Sequence, residues 1–471
     1  MNIKHLTGNV ITAFAAQGVS MLASIVMSLV VPKVLGVTTF GYWQLFIFYS
    51  GYSGFFQFGL NDGVYLINGG LSRSVVDKRA INSQFLICTL MQLVVGAVIS
   101  IFALFTAAEE ERIFVLLCFA IFTVILDLQG YLGYVFQAMN ETKLYSFATM
   151  LERGFFLLAM LFLVIFRVDA FEPYVIFYVI AKAMSLFYCV EHAVDIFRSG
   201  LYGFSDSLKL AISSIKVGFS LMLANIADML ILGVARALVD NAWGIEVFGK
   251  ISFSLSMVNF FILFVSQASM VLFPALRQGS DSERRSFYQG IRDMMEIAFP
   301  GMYLLYFPMA TVLSLWLPQY ADSMHYFALL IPVCVFNTKM DVCCTTFFKV
   351  LREERLLLRV NLIAVTVSAG FALIGIYALN SLEAVLLGAV ACIVVRSLWS
   401  ERHLDHSLGV QFSTIPVQEV LLTVVFVLLV LVAPGWCAVL GYALLYGLYL
   451  FANRKVVLSL AGQIRRVLAN Y

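Results

Sequence analysis

Six ionisable residues, Asp62, Asp127, Asp228, Asp341, Lys182 and Lys339, stand within long apolar runs of the chain. A charge near the centre of a membrane helix costs roughly 2.5–3.5 kcal/mol, so each should face a cavity or a partner. A carboxylate so placed can take up H+ or Na+ and couple its passage to a change of conformation. An ammonium so placed can compensate a phosphate. A structural ion pair or an interfacial position is the simpler reading of each residue, and Asp62 lies near the inner end of its run. Asn61 adjoins Asp62. Asn225 shares a helix face with Asp228, and Arg236 follows two turns further on. Such a polar stripe can protonate, hold Na+, bind sugar hydroxyls or pack against neighbouring Ser and Thr.

Covalent chemistry has little to stand on. The sequence has no nucleophile–base arrangement and no Gly-rich phosphate loop ending in Lys-Ser/Thr. His403 and His406, beside Glu401 and Asp405, have metal-ligand spacing but are expected as a solvated cluster in a cytoplasmic loop. None of the eight cysteines is at ligand spacing, and Cys343-Cys344 reads as packing. The stretch from Tyr42 to Phe58 is dense in aromatics, which suit either sugar rings or, more simply, a packed core and interfacial belt. The expectation is a protein that is no enzyme and has no cofactor or metal, with H+ or Na+ as a coupling ion.

The elements that must position these residues follow from composition. The 471 residues are 62% hydrophobic and 12% charged, against about 25% charged in ordinary soluble domains. Fourteen apolar runs predict membrane helices at 9–31, 41–66, 83–107, 113–138, 147–167, 172–190, 211–238, 249–276, 291–316, 325–350, 359–379, 383–400, 418–434 and 436–453. Twelve or thirteen spans also fit, because the last four runs are short or closely spaced. The runs are continuous, without the alternation of a membrane β-barrel.

Of the thirty Lys and Arg, twenty-three fall at the termini or in even-numbered loops, five in odd-numbered loops, and Lys182 and Lys339 inside spans. The positive-inside rule then places both termini in the cytoplasm. The first run is too long for a signal-peptide core and is expected to be retained. No outer loop is longer than about a dozen residues, too small for the extracytoplasmic domain of a membrane glycosyltransferase.

The chain also repeats itself. Val34-Leu35-Gly36 through Phe40-Gly41-Tyr42 is echoed by Ala237-Leu238-Val239, a slightly longer turn, and Phe248-Gly249-Lys250, at an offset of 208 between the Phe-Gly pairs. Phe136-Gln137-Ala138 is echoed by Phe348-Lys349-Val350 at 212. The fold expected is an all-α polytopic membrane protein of about fourteen transmembrane helices. It comprises two pseudo-symmetric six-helix bundles (1–190 and 211–400), a cytoplasmic linker acting as a tether (191–210), two additional helices (401–453) and a cytoplasmic tail (454–471) whose apolar residues have helical spacing. Such repeats in membranes usually form bundles that rock about a site between them. The 212 offset sets Asp127 and Lys339 at equivalent depths, which suggests a pair across that site. Pro274, Pro300, Pro308 and Pro332 concentrate in the second half, where more bending is expected.

The chain resembles the polysaccharide transporter, or Wzx-type, flippases of the multidrug/oligosaccharidyl-lipid/polysaccharide exporter superfamily. The residues that carry the resemblance are Pro32-Lys33-Val34-Leu35-Gly36 through Tyr42, Gly59-Leu60-Asn61-Asp62-Gly63 and Phe136-Gln137-Ala138. The resemblance implies export of a lipid-linked oligosaccharide on undecaprenyl pyrophosphate, by alternating access, across a bacterial inner membrane. It also implies a cationic cavity, for which Lys182, Lys216, Arg236 and Lys339 are the candidates, with Arg153 beside them. Asp62, Asp127, Asp228 and Asp341 are the candidates for coupling or gating, and Asn61 and Asn225 for lining. Expected partners are membrane lipid, the lipid-linked glycan, and a glycan polymerase with chain-length proteins; nucleic acid is not expected. Two alternatives stay open: a drug or metabolite cation antiporter of the same superfamily, and a scaffold for glycan-assembly enzymes.

Overall fold

The computed structural model describes residues 18–278, 281–351, 353–410, 413–433 and 435–469. The described residues form helices and no strand: α1 (Gly18–Gln57), α2 (Leu60–Asn68), α3 (Lys78–Thr106), α4 (Glu110–Ala138), α5 (Thr142–Ile165), α6 (Glu172–His192), α7 (Phe204–Gln278), α8 (Asp281–Ala298), α9 (Tyr306–Trp316), α10 (Ser323–Val350), α11 (Glu354–Tyr377), α12 (Leu382–Leu408), α13 (Ile415–Val432), α14 (Gly435–Ala452) and α15 (Arg454–Ala469).

Twelve described helices are long and apolar enough to cross a membrane, and two of them are double. The 40 residues of α1 and the 57 of Phe204–Phe260 correspond to about 60 and 85 Å of straight helix, at least twice the hydrocarbon thickness. One glycine breaks each. Gly36 has φ 74° and ψ −177°, and Gly244 has φ 78° and ψ −178°, a conformation open essentially only to glycine. Their separation equals the offset between the two Phe-Gly pairs, so the second turn has the same length as the first rather than being longer. Twelve long helices, two of them broken, therefore provide for fourteen crossings.

Contacts divide the chain into two compact units, Met1–Met229 and Leu230–Tyr471, with the boundary inside α7. In the first unit the aromatic stretch of α1 is largely core. Trp43 is fully buried and stacks on Phe156 at 5.9 Å, with Phe46, Tyr174 and Tyr178 around it. The helices α2 and α7 cross in near backbone contact: a Cβ on Gly63 would overlap the Ser214 carbonyl, and one on Gly218 would overlap that of Gly59. Small residues at both sides of the crossing permit this approach.

The 191–210 segment is less of a tether than expected. The helix α6 reaches His192, a single turn covers Val194–Phe197, and α7 begins at Phe204. Side chains at the start of α3 hold what remains. Arg79 donates twice to the Leu201 carbonyl, Asn82 donates to the carbonyls of Phe197 and Gly200, and the Ser83 hydroxyl accepts from the Tyr202 amide. These bonds satisfy backbone groups that would otherwise need water.

The second unit is cored by Tyr288, Met295, Cys343, Cys344, Phe347, Phe348 and Leu404. Pro300 lies in a 3-10 segment, Phe299–Leu305, between α8 and α9, and a π-helical turn at Met340–Thr345 follows Lys339 inside α10. The first unit has its own π-turn at Val26–Val30 and 3-10 turn at Ser53–Gln57, neither containing proline. The second unit has a further 3-10 turn at Pro318–Tyr320, so among the described residues two of its three irregular segments contain proline.

Candidate functional site

Among the described residues, the largest assembly of buried charge lies within the second unit. Lys339 is fully buried on α10. Its Nζ is 2.6 Å from Oε2 of Glu401 on α12, 2.8 Å from Oε2 of Glu419 on α13, and 3.6 Å from Oε1 of Glu296 on α8. All three carboxylates are buried. One turn before Glu296, Arg292 pairs with Asp405 at 2.8 Å and Asp293 at 2.9 Å, and reaches Glu296 at 3.8 Å. Tyr288 donates to the Glu401 carbonyl at 3.2 Å. In these ion pairs two cations face five carboxylates. A buried surplus of one sign is strongly unfavourable, so the assembly has the chemistry of a cation acceptor. The Lys339 ammonium already occupies the point where three carboxylates converge. Among the described residues, no group of three His, Cys, Asp or Glu is arranged to hold a metal ion.

The first unit has a smaller counterpart. Lys182 on α6 donates to Oε2 of Glu152 on α5 at 2.8 Å, with both side chains nearly buried, and Arg153 lies 3.8 Å from the other Glu152 oxygen. Asp127 is buried on α4, and its Oδ2 has no hydrogen-bond partner among the described residues. Asn61 donates to the Asp127 carbonyl at 3.2 Å. Gln57 joins Asn61 to Asp62, accepting from the Asn61 amide at 3.1 Å and donating to Asp62 at 3.2 Å. The left-handed residues Phe58 and Gly59 turn the chain into α2 and so place Asn61 and Asp62 there. Gly130, one turn from Asp127, leaves room for the Asn61 amide.

The two units use matching positions. In the second unit Arg396 on α12 donates to Asn361 on α11 at 3.3 Å and to Asn337 on α10 at 2.9 Å. Glu152 and Lys182, moved by 212 residues, fall within one helical turn of Asn361 and Arg396. Asp127 and Lys339 both stand eleven residues before the ends of their helices, Ala138 and Val350. Each has its own local environment. The Asp127 carbonyl is held by Asn61, and Lys339 is neutralised by carboxylates of the second unit.

The remaining candidates are dispersed. Lys216 and Asn225 are exposed on the first half of α7, and Asp228 is partly buried. Arg236 donates to the Ser252 hydroxyl at 2.8 Å and lies 5.1 Å over the Phe248 ring, bridging the two arms of the hairpin broken at Gly244. Asp341 is partly buried in the π-turn beside Lys339. Glu401 and Asp405 are not in a solvated loop, because α12 continues to Leu408 and buries both. His403 stacks on Trp399 and Phe348, with Nε2 2.9 Å from Oε2 of Glu353. The sequence reading missed Glu152, Glu296, Glu419, Arg292 and Arg396. The three glutamates stand inside predicted apolar runs, so the criterion that selected Lys182 and Lys339 also finds them; Arg292 and Arg396 stand near the ends of their runs and were counted with the cytoplasmic loops.

No protein-family model and no curated protein sequence matches the chain. Solved structures do. An inward closed conformation of the lipid II flippase MurJ aligns with 95% of this chain and 99% of its own, at TM-score 0.65 and 13% identity. An inward-facing multidrug resistance MATE transporter of the MOP superfamily aligns with 84% of this chain and 96% of its own, at TM-score 0.59 and 15% identity. A MATE structure in complex with MaL6 aligns with 85% and 97%, at 0.53 and 12%. The fold is the one that these MurJ and MATE structures share.

Proposed function

We propose that this chain is an ion-coupled flippase that moves an undecaprenyl-pyrophosphate-linked oligosaccharide from the cytoplasmic to the outer leaflet of a bacterial inner membrane by alternating access. The observation that carries this reading is the extent of the likeness to the lipid II flippase, 95% of this chain and 99% of that one. The MATE transporter leaves more of this chain unmatched, covering 84%. A pyrophosphate headgroup cannot cross hydrocarbon unaided, whereas a polyprenyl tail can remain in lipid. The exposed Lys216 is the best placed of the four candidate cations to meet that headgroup. Lys339 is assigned to coupling instead, because carboxylates already surround it. Protons fit the coupling role better than an inserted metal ion, since the ammonium fills the convergence point. The distribution of Lys and Arg supports cytoplasmic termini.

The carboxylate surplus also favours the second reading, antiport of an organic cation. One experiment separates the two. Purified protein in vesicles is given a fluorescent undecaprenyl-pyrophosphate-linked disaccharide, or ethidium, under an imposed pH gradient. Gradient-dependent flipping of the lipid with no ethidium movement supports the flippase. Ethidium movement without flipping establishes the antiporter. In the producing organism, deletion should leave lipid-linked glycan on the cytoplasmic leaflet, and a normal surface glycan would count against the proposal.

A further inference from the structure

Three tyrosines of α14 donate hydroxyl hydrogen bonds to backbone carbonyls where the α8–α9 segment departs from α-helix. Tyr449 donates to the Glu296 carbonyl at 2.8 Å, Tyr446 to Ile297 at 3.0 Å, and Tyr442 to Pro300 at 2.8 Å. The cause is visible in the sequence. Pro300 has no N–H, and the α-helical acceptor for residue 300 is the carbonyl four residues earlier, which is Glu296. Tyr449 supplies the donor that Pro300 lacks. Inside a membrane no water can do so, and neighbouring helices must re-satisfy such groups. Gly301 keeps the way open, since a Cβ there would stand 2.7 Å from the Tyr446 hydroxyl. The spacing 442, 446, 449 puts the hydroxyls on one face of α14. A further bond ties α13 to the same segment, between the Tyr303 and Thr423 hydroxyls at 2.9 Å.

We infer that Tyr449 is a positioning residue for Glu296, and that α14 acts as a splint replacing the hydrogen bonding lost at Pro300. Through the Glu296 backbone the splint fixes the turn from which that carboxylate reaches Lys339. The inference rests on the coupling role proposed for the Lys339 assembly. The charged and titratable groups facing Glu296 among the described residues are Lys339 and Cys343 from α10, Glu401 and Asp405 from α12, Glu419 from α13, Arg292 from its own helix, and Tyr449 itself. The last two spans are thus part of the coupling machinery rather than a peripheral addition.

The test is the melting temperature of the purified full-length protein against pH, which needs no substrate. Glu296→Gln should remove a pH-dependent step from the wild-type curve. Tyr449→Phe should move the midpoint of that step by about one pH unit, a tenfold change in proton affinity. Pro300→Ala restores an N–H opposite the Glu296 carbonyl, so Tyr449→Phe in that background should shift the midpoint little. If Pro300→Ala does not fold, Tyr446→Phe serves as the control: it removes an equivalent bond to Ile297 and should lower melting uniformly without moving the midpoint. A uniform drop for Tyr449→Phe, the same midpoint shift from Tyr446→Phe, or no pH-dependent step assignable to Glu296 overturns the inference. Loss of flipping in the vesicle assay, with these melting results intact, would overturn the flippase reading alone.

Discussion

Lys339 on α10 donates to Glu419 on α13 across 2.8 Å inside the second unit. The bond joins two helices of that unit across 80 residues of sequence. Both side chains are fully buried, and neither charge would be stable there alone.

Replacing Lys339 by Met should therefore be among the most damaging single changes. It strands Glu296, Glu401 and Glu419 together, and losing one partner of a buried ion pair costs about 3–5 kcal/mol. Lys339→Arg keeps the charge and should retain a folded protein. Detergent size-exclusion profiles and melting curves decide this, and a Lys339→Met protein melting like wild type would refute the buried assembly.

Glu152 and Lys182 should behave as a unit. Glu152→Gln and Lys182→Met each leave a buried charge without its main partner, so each should destabilise strongly. The double variant should lose less than the sum of the two, by roughly 0.5–3 kcal/mol. Strictly additive losses would show that the 2.8 Å contact is energetically idle.

The α2–α7 crossing predicts a sharp contrast among glycines. Gly63→Val and Gly218→Val force backbone apart and should cost about 1–3 kcal/mol or more. Gly54, where a Cβ meets nothing within 4 Å, should accept Ala with little loss. Comparable melting temperatures for Gly54→Ala and Gly63→Val would contradict the crossing.

The pinning of residues 197–202 to α3 makes a kinetic prediction. Arg79→Ala with Asn82→Ala removes four hydrogen bonds from the stretch around Leu201. At roughly 0.5–1.5 kcal/mol for each bond, chymotryptic cleavage beside Tyr202 should accelerate by at least about tenfold. Unchanged cleavage would mean that other contacts hold the segment.

At the opposite end of the first unit, the Arg112 guanidinium, and after it the Tyr42 hydroxyl, hold the Glu109 carboxyl below its ordinary value of 4.5. A depressed folded value contributes stability that is complete above the ordinary value and lost as pH falls through the folded one. Glu109→Gln should thus melt slightly below wild type at neutral pH, and the two curves should converge in acid. A difference that persists unchanged into acid would rule out this account.

Much of the fold is legible in the sequence because its signals are local. A run of apolar residues long enough to cross hydrocarbon reports a span whatever it packs against. The Phe-Gly pairs mark the two regions where double-length helices turn, while the matching breaks at Gly36 and Gly244 came from the structure. Burying charge is costly everywhere in a membrane interior, so Lys182, Lys339 and Asp127 could be singled out from their surroundings alone.

Partnership was not legible. Lys339 and Glu419 are 80 residues apart, and Glu296 and Tyr449 are 153 apart. Whether such residues meet depends on the rotation of each helix about its axis and on where a helix ends. The end of α12 shows this directly, since its extra turns to Leu408 move Glu401 and Asp405 from an expected solvated loop into the core. By itself the sequence determined the apolar spans and the rule that a charge within them needs a partner. Only the tertiary structure decided the partners, because a buried charge specifies that it be neutralised but not by which neighbour.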